Sequence, residues 1–254
     1  MMIFSAHFNT LLQHLPPVER IEAFAKIGFK AFELWGWWDE DIDGIAAAAK
    51  KHKLQIAALC TPFVSLTDAT KRDEYLTGFA KTVKLCKQLD VNVIISQVGD
   101  ALPKCSRKVQ THSIIEGLMK CADLLDPTDI NLCIEPLNLI YDHKRYFLSR
   151  SDHASQIIEA VNHPNISLLF DVYHQQITEG NVINNINTYH RLIGHYHIAD
   201  NPGRNEPGTG EINYANVIKA IKETGYIGYI GLEFTPKVKQ QQKMLADLLK
   251  QFVQ

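Results

Sequence analysis

The chain has 254 residues, 46% of them hydrophobic and 21% charged, with a formal net charge of −2. That composition is ordinary for a soluble globular protein with a large core, and the near-neutral charge leaves no electrostatic footprint for nucleic acid or an anionic membrane. A small-molecule partner is expected instead.

Taken in order, Met2 to Ala6 reads as a first strand, with His7 and Asn9 in its exit loop. After Pro16 and Pro17, the segment VERIEAFAKIGF places Ile21, Phe24, Ala25 and Ile27 on one helical stripe that closes at Gly28. KAFELW is a second strand, with Glu33 near its end and Trp35, Trp37 and Trp38 just beyond. These tryptophans suit core or rim packing, a wall of a pocket, or a contact in a homo-oligomer. Acidic residues between Asp39 and Asp43 cap a helix through IAAAAKKH, and LQIAAL is the third strand, ending at Cys60 and Thr61. Helical spacing of Phe79, Val83 and Cys86 marks a helix from Tyr75 to Leu89. VNVIIS follows as the fourth strand, then a helix from Ser106 to Leu125.

The next four apolar runs each finish on a group able to bind metal: NLCIEP on Glu135, SLLFDVYH at Asp171, IGHYHIAD at His197 and YIGLEF on Glu233. A strand buried on both faces is apolar throughout, so its first polar residue marks where it leaves the core. The four groups lie 36, 26 and 36 residues apart in sequence, each gap about one strand, crossover helix and return. Helices are expected at Ser151 to Val161, Val182 to Leu192, Tyr214 to Thr224 and Val238 to Phe252. Eight strands alternating with eight helices, at roughly 32 residues per unit, predict an α/β fold: a single (β/α)8 TIM barrel spanning residues 1–254 as one domain.

Three carboxylates converging on one rim would repel each other without a cation. The set Glu135, Asp171, His197 and Glu233 therefore suits one divalent metal ion, Mn2+, Mg2+, Co2+ or Zn2+, without selecting among them. His174, three residues after Asp171, reaches the same mouth as a candidate substrate contact. Arg204, in the Gly/Pro-rich loop NPGRNEPGTG, could hold a carboxylate, phosphate or hydroxyl oxygen. His7 joins these two as a candidate substrate contact. His195 faces the same side as His197, one layer deeper, and reads as a core histidine.

The five cysteines form no CxxC pair, and reduced thiols in a cytoplasmic protein are the expectation. The N-terminus MMIFSAHFNTLL lacks the pattern of a signal peptide, and no apolar run is long enough to span a membrane.

The segments FDVYHQQITEGN, HYHIADNPGRNEPGTGEINY and GYIGLEF resemble the hydroxypyruvate isomerase branch of the sugar isomerase/epimerase barrels related to xylose isomerase. The likeness is most specific from Glu135 to Phe234. It implies a (β/α)8 barrel whose metal is held by Glu135, Asp171, His197 and Glu233, with the two glutamates as acid/base pair and with His174 and Arg204 on the substrate. It also implies a sugar or hydroxy-keto acid substrate, interconverted by enediolate proton transfer. The hydroxypyruvate branch usually carries Gln where this chain has His197, whereas the ketose 3-epimerase branch carries His. The loops HFNTLL, ELWGWWDED and CTPFVSL also depart from the hydroxypyruvate pattern, so isomerisation and 3-epimerisation both stay open, as does sugar binding without turnover. An endonuclease-IV-like phosphodiesterase would need further histidines where the chain has Cys60, Thr61, Gln97 and Gly99.

Overall fold

The computed structural model describes residues 2–126 and 128–253, so the outermost residues of the expected 1–254 domain lie outside the description. Its strands are β1 (Ile3–His7), β2 (Ala31–Leu34), β3 (Gln55–Cys60), β4 (Val93–Ser96), β5 (Asn131–Ile134), β6 (Ile166–Asp171), β7 (Ile193–Ile198) and β8 (Tyr229–Leu232). Every neighbouring pair is parallel, and β8 returns to β1 to close the barrel. The helices are α1 (Pro17–Ile27), α2 (Ile42–His52), α3 (Arg72–Leu89), α4 (Arg107–Leu125), α5 (Ser151–Val161), α6 (Val172–Thr178), α7 (Val182–Tyr189), α8 (Tyr214–Glu223) and α9 (Gln241–Val253). The expected TIM barrel is borne out.

Local chemistry sets the helix ends where the sequence expected them. Pro17 opens α1, and Gly28 closes it at φ 114°, donating its N–H to the Phe24 and Ala25 carbonyls. Asp41 caps α2 by accepting from the Gly44 N–H at 3.0 Å, and Ser106 caps α4 by accepting from Val109.

Side-chain alternation along the strands divides the apolar residues into two bodies. Ile94, Leu132, Ile134, Leu168, Phe170, Ile198, Ile230 and Leu232 face outward into the large core beneath the helices. Ala58, Cys60, Val93, Ile95, Cys133 and Leu169 fill the barrel interior, with Trp35 packed against them. The inward rank that includes Cys133 and Leu169 continues, two residues later, as Glu135 and Asp171. An apolar plug thus supports the polar groups from below.

Several expected boundaries shift, among them the start of α3, which begins at Arg72 rather than Tyr75. His7 is the last residue of β1, paired in register with Glu33, rather than part of an exit loop. The chain between β6 and β7 makes two helices, because Asp171 ends the strand and at once caps α6; α7 then stops at Tyr189, short of Leu192. The last helix begins at Gln241 rather than Val238, since the N–H groups of Lys237 and Val238 are held by the buried Glu206 carboxylate. Cys60, Cys86, Cys105, Cys121 and Cys133 are all free thiols. Among the described residues no helix is long and apolar enough to cross a membrane.

Candidate active site

The C-terminal ends of β5 to β8 bring Glu135, Asp171, His197 and Glu233 together, each buried, with one potential ligand atom from each lying within 4.8 Å of all the others. His197 Nδ1 stands 3.1 Å from Glu233 Oε2 and 3.6 Å from Glu135 Oε1. Asp171 divides its labour: Oδ1 accepts from the Tyr173 and His174 N–H groups at 2.8 and 3.2 Å, which caps α6, while Oδ2 is left without a hydrogen-bond partner. Glu135 Oε1 and His197 Nδ1 are equally buried and unpartnered. Buried polar atoms without partners are costly, and three lone-pair donors converging in this way fit a divalent cation.

Glu233 is the most heavily contacted of the four. Its Oε2 accepts from Arg204 at 2.7 Å and its Oε1 from the Trp35 indole at 2.8 Å. Burial pushes its carboxyl upward, but Arg204 and His197 overcome this and hold it well below the ordinary carboxylate range. For Asp171, burial dominates and raises the carboxyl to about 7, with Glu233 and Glu135 adding to the rise and Arg204 opposing it. Burial would lower His197, yet Glu233 and Glu33 lift it well above an ordinary imidazole.

The three expected substrate contacts surround this group. His174 is fully buried, its Nε2 unpartnered and 3.6 Å from Asp171 Oδ2; burial, reinforced by Arg204, keeps the ring neutral. Arg204 lies over the Tyr173 ring at 5.4 Å. Its loop is pinned by Asp200, whose carboxylate accepts from the N–H groups of Asn201, Gly208 and Ile212. His7 sits with Nε2 3.8 Å from Glu233 Oε1 and its ring against Trp35, and burial lowers it to about 4.

Beneath His197 lies a carboxylate to which the sequence reading gave no role. Glu33 reaches across the barrel from β2, accepting from His195 Nε2 at 2.8 Å and facing His197 Nε2 at 3.4 Å. Glu33, His195 and His197 are close enough to form a second metal-binding group, but the hydrogen bond already joining Glu33 to His195 makes them a closed pair behind His197. Gly231 makes this crossing possible: a Cβ there would lie 1.8 Å from Glu33 Oε1 and 2.6 Å from His197 Cδ2. Glu33 interrupts an apolar run, between Phe32 and Leu34, rather than ending one as Glu135 does, so the signal was a charged residue within a buried strand. Asn138 and His143, both beside His174, carried none because they lie in an irregular loop. Of the tryptophans, Trp35 enters the site, whereas Trp38 packs on Phe63 at the rim.

Residues 21–251 match the family model described as a xylose isomerase-like TIM barrel. The chain belongs to that family. Hydroxypyruvate isomerase of Escherichia coli (strain K12) is 30% identical to it over 245 residues, covering 93% of this chain and 95% of the relative. A Xenopus laevis protein, provisionally named a hydroxypyruvate isomerase, is 33% identical over 250 residues, with 93% and 91% covered. Among solved structures, AP endonuclease, family 2, from Brucella melitensis superposes with a TM-score of 0.93 at 28% identity, covering 98% of this chain and 99% of that one. With named relatives of the xylose isomerase-like family aligned over nearly its whole length, the chain is an isomerase enzyme.

Proposed function

We propose that this enzyme interconverts a small hydroxyaldehyde and its keto isomer, of the hydroxypyruvate/tartronate-semialdehyde type, by proton transfer between adjacent carbons. The observation that carries the reading is the convergence of Glu135, Asp171, His197 and Glu233 at one barrel mouth, with unpartnered lone pairs on three of them. These four residues would hold one divalent ion. Bound there, the ion would supply Lewis acidity to adjacent carbonyl and hydroxyl oxygens of the substrate, making the intervening C–H bond more acidic.

The remaining steps belong to the protein. One of Glu135 and Glu233 takes the proton from the hydroxyl-bearing carbon, and the other delivers a proton to the neighbouring carbon. The hydroxyl proton passes to the former carbonyl oxygen, so the isomer gains and loses no atoms. Arg204 keeps Glu233 ionised and ready to accept. His174 and His7 hold substrate oxygens, and the indole of Trp35 fixes the Glu233 carboxylate in one orientation. A recess lined by Phe63, Ser65, Gln97, Asp100, His143 and Tyr146 adjoins His174 through His143 and would take the end of the substrate that does not react.

The same two glutamates could return the proton to the opposite face of the original carbon, and His197 in the ligand set favours this 3-epimerase reading on a ketose. The phosphodiesterase reading draws no support from the ends of β3 and β4, where Cys60, Thr61 and Gln97 stand. Assays with hydroxypyruvate and unphosphorylated ketoses test the proposal. Glu135→Gln and Glu233→Gln should each lower turnover by about 10³-fold or more, within the range for removing a positioned acid or base. Activity retained in both variants would remove the glutamates from the mechanism.

A further inference from the structure

Asn138 lies in the loop after β5, three residues beyond Glu135, and is fully buried. Its contacts fix which side-chain atom is which. One atom receives the backbone N–H groups of Tyr141 and Asp142, at 3.0 and 3.4 Å, and only the amide oxygen can accept them. The other is therefore the NH2 group, which donates to Asp142 Oδ2 and to His174 Nδ1, each at 2.7 Å. The Asn138 backbone N–H points at the same His174 Nδ1 from 3.2 Å. A ring nitrogen facing two N–H donors must offer its lone pair. The proton of neutral His174 is accordingly on Nε2, which is buried and has no hydrogen-bond partner. Tyr173 and His143 flank the ring with centroids at 5.2 and 5.4 Å, and a flipped ring would present a carbon to both donors.

We propose that Asn138 is a positioning residue that locks His174 as the Nε2–H tautomer, so that His174 meets the substrate as a hydrogen-bond donor to an oxygen and never as a base. This rests on the reading of His174 as a substrate contact. The oxygen placed there must be an acceptor, which selects a carbonyl, or the oxyanion it becomes, over a hydroxyl whose proton is to be removed. No proton leaves His174; its N–H···O bond strengthens as negative charge builds on that oxygen, so the effect falls on kcat more than on KM.

The test is multiple-bond ¹⁵N–¹H correlation NMR on protein labelled with ¹⁵N-histidine and loaded with diamagnetic Mg2+ or Zn2+, with His174 assigned from the His174→Asn variant. The expected spectrum shows His174 Nδ1 as the unprotonated nitrogen and Nε2 as the protonated one. Asn138→Asp replaces the donor with an acceptor and should bring a proton onto Nδ1, with kcat on hydroxypyruvate falling about 100-fold and KM changing little. Asp142→Asn, which keeps an oxygen for Asn138 to donate to, should leave the tautomer as it was. If Asn138→Asp does not fold, Asn138→Ala serves, since loss of the side-chain donor should leave a mixture of tautomers. A wild-type proton on Nδ1, or a tautomer indifferent to both Asn138 variants, overturns the proposal. A tautomer that switches while kcat stays unchanged instead overturns the placing of His174 against the reacting oxygen.

Discussion

Glu33 places an ionisable group in the barrel interior, where a charge without a partner is expensive. Its hydrogen bond to His195 and its position behind His197 compensate for that burial, and Gly231 provides the room. Burial would raise the Glu33 carboxyl, but His195 and His197 more than reverse this and keep it ionised. Removing the carboxylate strands His195 and leaves His197 free to turn. Because a histidine can shed its proton, the cost of Glu33→Ala should fall at the low end for a broken buried pair, about 3 kcal/mol. For a chain of this size that is a drop in Tm of roughly 6–12 °C, readable in a thermal melt of the metal-free protein. A variant melting within a degree of the parent would show that the pair contributes nothing. The lesser effect expected of Glu33→Gln, which keeps an acceptor for His195, separates loss of the hydrogen bond from loss of the charge.

The loop after β7 has no regular structure, yet it must hold Arg204 against Glu233. Asp200 does this by accepting three backbone N–H groups, from Asn201, Gly208 and Ile212, that are spread across the loop. Asp200→Ala should therefore loosen the loop as a unit. The expected results are a rise in KM with loss of the Arg204–Glu233 contact, and faster proteolytic cleavage between residues 201 and 212; unchanged KM and cleavage would show that the loop is held by other means. Such elements differ in how legible they were in the sequence. The strands were plain because eight apolar runs need no partner to be recognised, and the four candidate ligands were plain because each ends one. α6 was missed because its capping residue, Asp171, is also the last residue of β6 and leaves no loop between them. The role of Asn138 was invisible for another reason: it depends on His174, 36 residues away, and nothing local to the loop predicts that contact.

Closure of the barrel turns these separate strand ends into one site. It brings Glu33 within reach of His195, 162 residues later in the chain, and gathers the four candidate ligands Glu135, Asp171, His197 and Glu233 within 4.8 Å of one another. At this scale the protonation of the site would be linked to the proposed metal binding. Burial raises Asp171 to about 7, and His197, which burial would lower, is raised by Glu233 and Glu33, so the metal-free protein holds protons on both through mildly acidic pH. A bound ion needs both groups deprotonated, so binding should release protons, and affinity should rise with pH. Calorimetric titration with Mn2+ should show the logarithm of the affinity climbing by at least one unit per pH unit from pH 5.5 to about 7, and flattening only at higher pH, once His197 too has lost its proton. A pH-independent affinity would indicate that the ion binds elsewhere.

Proton transfer at carbon is the claim on which the other functional readings depend, and deuterium wash-in tests it most directly. Hydroxypyruvate and a set of unphosphorylated ketoses would be incubated in D2O with the metal-loaded protein and followed by proton NMR, beside Glu135→Gln and Glu233→Gln. The expected result is loss of a C–H signal from hydroxypyruvate together with growth of its hydroxyaldehyde isomer, dependent on metal and slowed about 10³-fold or more in either variant. Wash-in with inversion at one ketose carbon would make the enzyme a 3-epimerase. Product formed with no deuterium at carbon, or wash-in of equal rate in the glutamate variants, would contradict the account.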